Sequence, residues 1–345
     1  MGQRGTLADR IGFFLPVFEA GGAPLYAYLT QRAAAEVTWP TSPFRLSLEQ
    51  FIDERPERFL WLRVLALVHR WVLAGEVPEL AAYYRSAGGT LGPASVAWDL
   101  FRDAVSRHGP ELPELLCLPL QHNEVGRAAA LACGFLLVSR ETKLPLRLLE
   151  VGASAGLLLR WDYYLGRPWF EALFHGMPPH FETEVRVAER RGCDLHPVDA
   201  SSAEGVLYLR SMVWADRVDH LAALEDALAW NASLPVVVDQ ADGANWLPRH
   251  GMPVQGTATV IYHSLMRASG PPQSLIEMDR AIHSCAAYAG RNAPLAYLRF
   301  EAGDHANGTV DPTRLVEVWL TTWPDGEDRL LATCDVNGRG VRWLL

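Results

Sequence analysis

The run Leu148-Leu149-Glu150-Val151-Gly152-Ala153-Ser154-Ala155-Gly156-Leu157 joins an apolar stretch, an acid and a turn of small residues. Gly152 and Gly156 permit backbone conformations closed to other residues and a close approach to a ligand, while Ala153, Ser154 and Ala155 leave room for one. At a strand-to-helix crevice such a turn suits a nucleotide-type ligand. It does not spell G-x-G-x-x-G, so a nicotinamide-dinucleotide site is not indicated. It does spell Gly152-x-Ser154-x-Gly156, the turn that presents the nucleophile of α/β-hydrolases. In that chemistry Ser154 attacks, and Asp239 with His263 or His305 completes the order Ser, Asp, His.

Other segments carry groups that could face a substrate. Glu124 and Arg127, three apart in Gln121-His122-Asn123-Glu124-Val125-Gly126-Arg127, share one face of a helix that continues to Val138. Asn123 serves equally well as a plain helix cap beside a solvated Glu124 and Arg127 pair. His263 follows an apolar run, and its ordinary pKa suits a general base, although a structural histidine is as common there. Asp242-Gly243 also reads as a turn or a helix cap. Asp199 belongs to a helix entry, since Ser201 and Glu204 have the spacing of a capping box.

The elements that must position these residues fall into two regions. Residues 1–145 read as helices: an apolar-periodic stretch near Leu7 to Phe18, another around Leu25 to Val37, and a short helix opened by the capping-box pair Ser47 and Gln50. A strongly apolar helix from Phe59 to Leu73 is closed by Gly75 and Pro78, and a further helix runs from Ala94 to Arg107. This region is expected to form a helical cap that supplies the substrate pocket over the carboxyl edge of a sheet. From Leu146 the pattern changes to short continuous apolar runs, the mark of strands covered on both faces. They are Leu146 to Val151, Pro235 to Val238, Thr259 to Tyr262, Leu295 to Phe300, Leu315 to Thr321 and Leu330 to Cys334. Trp323-Pro324-Asp325-Gly326 makes the last two an antiparallel hairpin. The helical start argues against the hydrolase, whose fold places several strands before its nucleophile.

Composition narrows the classes further. With 345 residues, 49% of them hydrophobic, the chain can build one large α/β domain with a helical addition. A net charge of -9 without a basic run opposes nucleic acid. Lys143 is the only lysine, a skew that coding bias explains as well as anion recognition does. No run approaches the roughly 20 apolar residues of a membrane helix and no signal peptide opens the chain, so a cytoplasmic protein without membrane contact is expected. Cys117, Cys133, Cys193, Cys285 and Cys334 are scattered without C-x-x-C spacing, which predicts reduced, buried thiols and no metal site.

The segment around Glu150 to Gly156 resembles the cofactor-binding first motif of class I S-adenosylmethionine-dependent methyltransferases. The resemblance implies a mostly parallel seven-stranded Rossmann sheet with a terminal hairpin over residues 146–345, after a helical region over 1–145. It implies that Glu150 orients the amino-acid end of S-adenosylmethionine beside Gly152, Ala153, Ser154 and Gly156. Val236 to Leu247 looks like the third-strand motif of the same fold, where an acid faces the adenine amine: Asp242 first, Asp239 second. An acid ending the second strand holds the ribose, normally about 20 residues after the first. Asp194 comes roughly twice as late, which requires an insertion near 160–182. Together with Asn123-Glu124-Val125-Gly126-Arg127, Asp194-Leu195-His196-Pro197 and Val213-Trp214-Ala215-Asp216, these stretches resemble the uncharacterised bacterial family called domain of unknown function 2332. The expected activity is a small-molecule methyltransferase, with Asn123 among the cofactor contacts and His263, Glu124 and Arg127 as catalytic candidates. The alternatives are a serine hydrolase or a Rossmann-like binding protein without catalysis.

Overall fold

A computed structural model describes residues 5–54, 59–90, 92–109, 112, 121, 123–176, 184–231, 233–267, 270–302 and 315–345. The chain divides into two compact units, Met1–His122 with Ser202–Ala222, and Asn123–Ser201 with Ala223–Leu345.

The described part of the first unit is helical: α1 (Leu7–Gly12), α2 (Leu15–Ala20), α3 (Pro24–Glu36), α4 (Pro43–Glu54), α5 (Leu60–Ala74), α6 (Pro78–Ala81) and α7 (Ala94–Arg107). Helix α5 ends where its sequence says it must, at Gly75 with φ 78°. Ser47 does not open a helix. It lies inside α4, and its hydroxyl donates back to the Pro43 carbonyl at 2.9 Å. The core is aromatic, with Phe44, Trp61, Trp98 and Phe101 buried against one another.

In the second unit, α8 (Arg127–Thr142) precedes the first strand and α9 (Pro168–Glu171) follows it; α10 (Ala203–Met212) returns to the first unit. Next come α11 (Val218–Ala229), in which the chain passes from the first unit back to the second, α12 (Gly243–His250) and α13 (Pro272–Ala286). The strands are β1 (Leu146–Val151), β2 (Val187–Asp194), β3 (Val237–Gln240), β4 (Ala258–Ser264), β5 (Leu295–Ala302), β6 (Val316–Trp323), β7 (Glu327–Cys334) and β8 (Arg342–Trp343). They form one sheet in the order β3-β2-β1-β4-β5-β6-β7-β8, eight strands where seven were expected. β1 to β5 run parallel, and β6, β7 and β8 continue antiparallel. The hairpin turns at Gly326, with φ 71°.

β2 escaped the reading by apolar runs because it is Val-Ala-Glu-Arg-Arg-Gly-Cys-Asp. Its arginines find acidic partners: Arg190 pairs with Asp162 and Arg191 with Asp239. Between β1 and β2 the chain makes a 3-10 helix, Leu158–Tyr164, and then α9. No regular α-helix therefore starts at the glycine turn. The helix α10 begins one residue later than Ser201 and Glu204 suggested: Ser202 is its cap, accepting from the Gly205 amide at 2.9 Å, while Ser201 bonds Asp199.

Candidate functional site

Strand order decides where a ligand can sit. The chain steps from β1 outward to β2 and β3, then returns to place β4 on the other side of β1, so the loops after β1 and β4 part at their carboxyl ends. Such a switch point is the usual ligand crevice of open α/β sheets. Three non-glycine residues among those described have positive φ: Lys143, Ser154 and Leu265. Lys143 closes α8, an ordinary place for that geometry. The other two, at 48° and 51°, lie in the loops after β1 and β4 and flank the switch point. Each costs about 1–3 kcal/mol, and such strain concentrates at functional sites.

The turn after β1 is held almost entirely by its own amides. Gly152 and Ala153 donate to the Cys193 carbonyl at 2.8 and 3.0 Å, and Gly156 donates to Ala153 at 2.7 Å. Ser154 donates to Asp194 at 2.9 Å, and Ala155 reaches the Asn123 side-chain oxygen at 3.4 Å. Asn123 thus meets the turn instead of capping α8, whose cap is Gly126. Five consecutive amides engaged in this way leave no cradle for a phosphate. The Ala155 amide is also the donor that a serine nucleophile at Ser154 would need for its oxyanion hole. Gly152, with φ 76°, is exposed; a Cβ there would lie 3.3 Å from the Cβ of Met266. At Gly156 a Cβ would strike Val236 at 2.7 Å, so that glycine serves packing.

The four acids have different fates. Glu150, 2% exposed, stands opposite Tyr262 in the register and accepts its hydroxyl at 3.2 Å. Burial holds its pKa well above the usual range against the pull of Tyr262 and Arg127. Asp194 ends β2, half-buried, and takes the amides of Ser154 and His196, one on each oxygen. Asp239 is inside β3 rather than after it; Arg191 grips both its oxygens and Trp246 donates at 2.7 Å. That guanidinium lowers its pKa. Asp242 caps α12, accepting from Ala244 at 2.8 Å and from the Ser274 hydroxyl at 2.6 Å.

Among the catalytic candidates, Glu124 accepts from the Gly126 amide, and Arg127 is buried with its Nε on the Val336 carbonyl and Nη1 3.5 Å from the Ser264 hydroxyl. Burial lowers the Arg127 pKa, opposed by Glu124, Glu301 and Glu150 nearby. His263 has no exposed surface; its Nε2 meets the Tyr297 hydroxyl at 2.7 Å. A base must touch the group it deprotonates, and His263 touches neighbouring strands instead. His305 lies outside the described residues, as does Cys117. Cys133, Cys193, Cys285 and Cys334 are buried free thiols.

The segment Tyr262 to Met266 was legible as the carboxyl edge of a strand without roles for Tyr262 or Met266, while Glu301 and Arg160 had no functional reading in the sequence. Glu301 had a signal, an acid directly after the apolar run of β5, as Glu150 stands in β1. Arg160, 1% exposed, donates to the carbonyls of Gly156 and Leu234 and to Asn231, tying the turn to the entry of β3. Among the described residues no group of three or more His, Cys, Asp or Glu is placed to hold a metal ion, and no helix is long and apolar enough to cross a membrane. The Val213-Trp214-Ala215-Asp216 stretch binds the first unit together. Trp214 packs on Phe18, and buried Asp216 accepts from the Leu25 and Tyr26 amides at the start of α3.

A family model described as an uncharacterized protein conserved in bacteria (DUF2332) matches residues 16–343. A crystal structure of Streptomyces venezuelae DesVI aligns with 17% identity over 68% of this chain and 80% of that one, at a TM-score of 0.26. No curated protein matches.

Proposed function

We propose that this chain, which belongs to the DUF2332 family, binds S-adenosylmethionine at the crevice between β1 and β4 and methylates a small molecule. The observation that carries the reading is the pair of left-handed, non-glycine residues, Ser154 and Leu265, on the two loops that flank the switch point. Exposed Gly152 lies on the first of these loops and Asp194 ends the neighbouring strand. The residues fit the group in part. Asp194 places a half-buried carboxylate at the end of β2, the chemistry a ribose diol asks for, and Gly152 offers a backbone surface without a side chain. Asp239 does not fit, because Arg191 and Trp246 occupy its carboxylate. Asp242 already serves as a helix cap. The engaged amides of the turn count against a phosphate.

S-adenosylmethionine, when bound, supplies a methyl group already activated on a sulfonium. The protein's part is then alignment and exclusion of water, which needs no dedicated base. Calorimetry and thermal shift with S-adenosylhomocysteine test the reading. At about a hundredfold over Kd, the expected stabilisation is roughly 2.7 kcal/mol. No response at millimolar ligand would overturn it.

A serine hydrolase is the second reading, favoured by the left-handed backbone of Ser154 within Gly152-x-Ser154-x-Gly156. Against it, Ser154 is only 7% exposed, Asp239 is held by Arg191 and His263 is enclosed; His305, the other histidine of that reading, lies outside the described residues.

A further inference from the structure

Gly152 is exposed, yet the loop after β4 comes close to it through Met266. What sets that distance is a third strand. Leu265 continues the ladder between β4 and β5 by donating to the Phe300 carbonyl at 2.9 Å, and its φ of 51° then swings the chain across the end of β4. The next two amides, of Met266 and Arg267, both point at one oxygen of Glu301, at 3.2 and 3.3 Å. Glu301 is 3% exposed. His263 packs against it, its Nδ1 2.7 Å from the same oxygen and outside hydrogen-bond alignment. Tyr297 in turn meets the other nitrogen of that ring at 2.7 Å. A buried carboxylate that collects two successive amides is a costly arrangement unless the loop it holds has a defined place to be.

We propose that Glu301 is the positioning residue of the crevice: its carboxylate, seated on His263, gathers the Met266 and Arg267 amides and thereby holds Met266 as the wall facing Gly152. The inference rests on the reading of that crevice as a cofactor site only for its consequence in binding; the geometry of the loop stands by itself. His263 acts here by backing Glu301, which gives its burial a purpose that general-base chemistry does not.

Two conservative variants separate reach from charge. Glu301→Gln keeps an oxygen at the same distance and loses the charge, whereas Glu301→Asp keeps the charge and falls one methylene short. Amide hydrogen exchange, read by NMR on the full chain without ligand, is expected to speed up by about tenfold or more at Met266 and Arg267 in Glu301→Asp, while Ile261 and Leu298 in the adjoining strands stay protected. In Glu301→Gln the two amides are expected to keep their protection. S-adenosylhomocysteine affinity, by calorimetry, is expected to fall about tenfold in Glu301→Asp and to be retained within about threefold in Glu301→Gln. Unchanged exchange at both amides in Glu301→Asp would overturn the proposal, as would faster exchange in Glu301→Gln with protection kept in Glu301→Asp, which would assign the effect to charge instead of reach. Normal ligand affinity in Glu301→Asp despite a freed loop would overturn the role at the crevice. If the wild type fails to bind S-adenosylhomocysteine, the cofactor reading falls, and the exchange measurement still decides whether Glu301 holds the loop.

Discussion

Ser154 carries a hydroxyl on a left-handed backbone, and the two functional readings ask different things of it. A nucleophile needs a base beside it and a free amide at Ala155; the structure gives that amide to Asn123. A cofactor turn needs only a small side chain whose backbone amide can reach Asp194. Alanine tolerates φ 48° about as poorly as serine, so Ser154→Ala leaves the strain as it was. It is therefore expected to keep S-adenosylhomocysteine affinity within about tenfold, a difference of about 1.4 kcal/mol. Fluorophosphonate is expected to leave the wild type unlabelled. Stoichiometric labelling of Ser154, read by mass spectrometry, would reinstate the hydrolase.

Helix α5 is pinned through a buried titratable group. His69 has no exposed surface, with Nε2 2.7 Å from the Ser86 hydroxyl and Nδ1 3.1 Å from the Ser211 carbonyl. A carbonyl only accepts, so Nδ1 carries the proton and Nε2 accepts from Ser86. Burial lowers the His69 pKa to about 4, against the opposing pull of the Ser211 and Val213 carbonyls. The folded protein thus prefers the neutral ring. Its contribution is complete above the ordinary value near 6.5 and is lost progressively as pH falls toward 4, on the order of 3 kcal/mol in all. Urea unfolding followed from pH 7 to 4 should show this loss. His69→Gln can make the same two bonds and cannot titrate in this range, so its stability is expected to be flatter across the window. An identical slope in the variant would assign the acid sensitivity to other groups.

At the scale of the whole molecule, the helical unit is discontinuous. The chain leaves it after His122 and returns with Ser202–Ala222. That returning segment brings Asp216 to the amides of Leu25 and Tyr26, Arg217 to the Gly21 carbonyl at 2.8 Å, and the Ala215 carbonyl to the Ser86 amide at 3.0 Å. Residues 1–122 expressed alone would leave the start of α3 uncapped and the Trp214 seat on Phe18 empty. They are expected to lack a cooperative thermal transition by circular dichroism. A sharp two-state transition in that fragment would show that the returning segment is dispensable.

Much of this was readable in the sequence. The helical first region, the runs of β1, β4 and β5, the hairpin at Gly326 and the stop of α5 at Gly75 each follow from residues close together along the chain. Apolar periodicity and the conformational freedom of glycine act locally. Tertiary structure alone decided what the polar groups do. β2 pairs with β1 and β3 while Asp162 and Asp239 partner its arginines, a pattern invisible to hydropathy. Asp239 looked available for a ligand until Arg191, 48 positions away, closed on it. Asn123 looked like a cap until it met Ala155, and His263 looked like a base until Tyr297 and Glu301 enclosed it. A carboxylate or an imidazole can take many partners, and which one it takes depends on chain segments that only folding brings within about 3 Å.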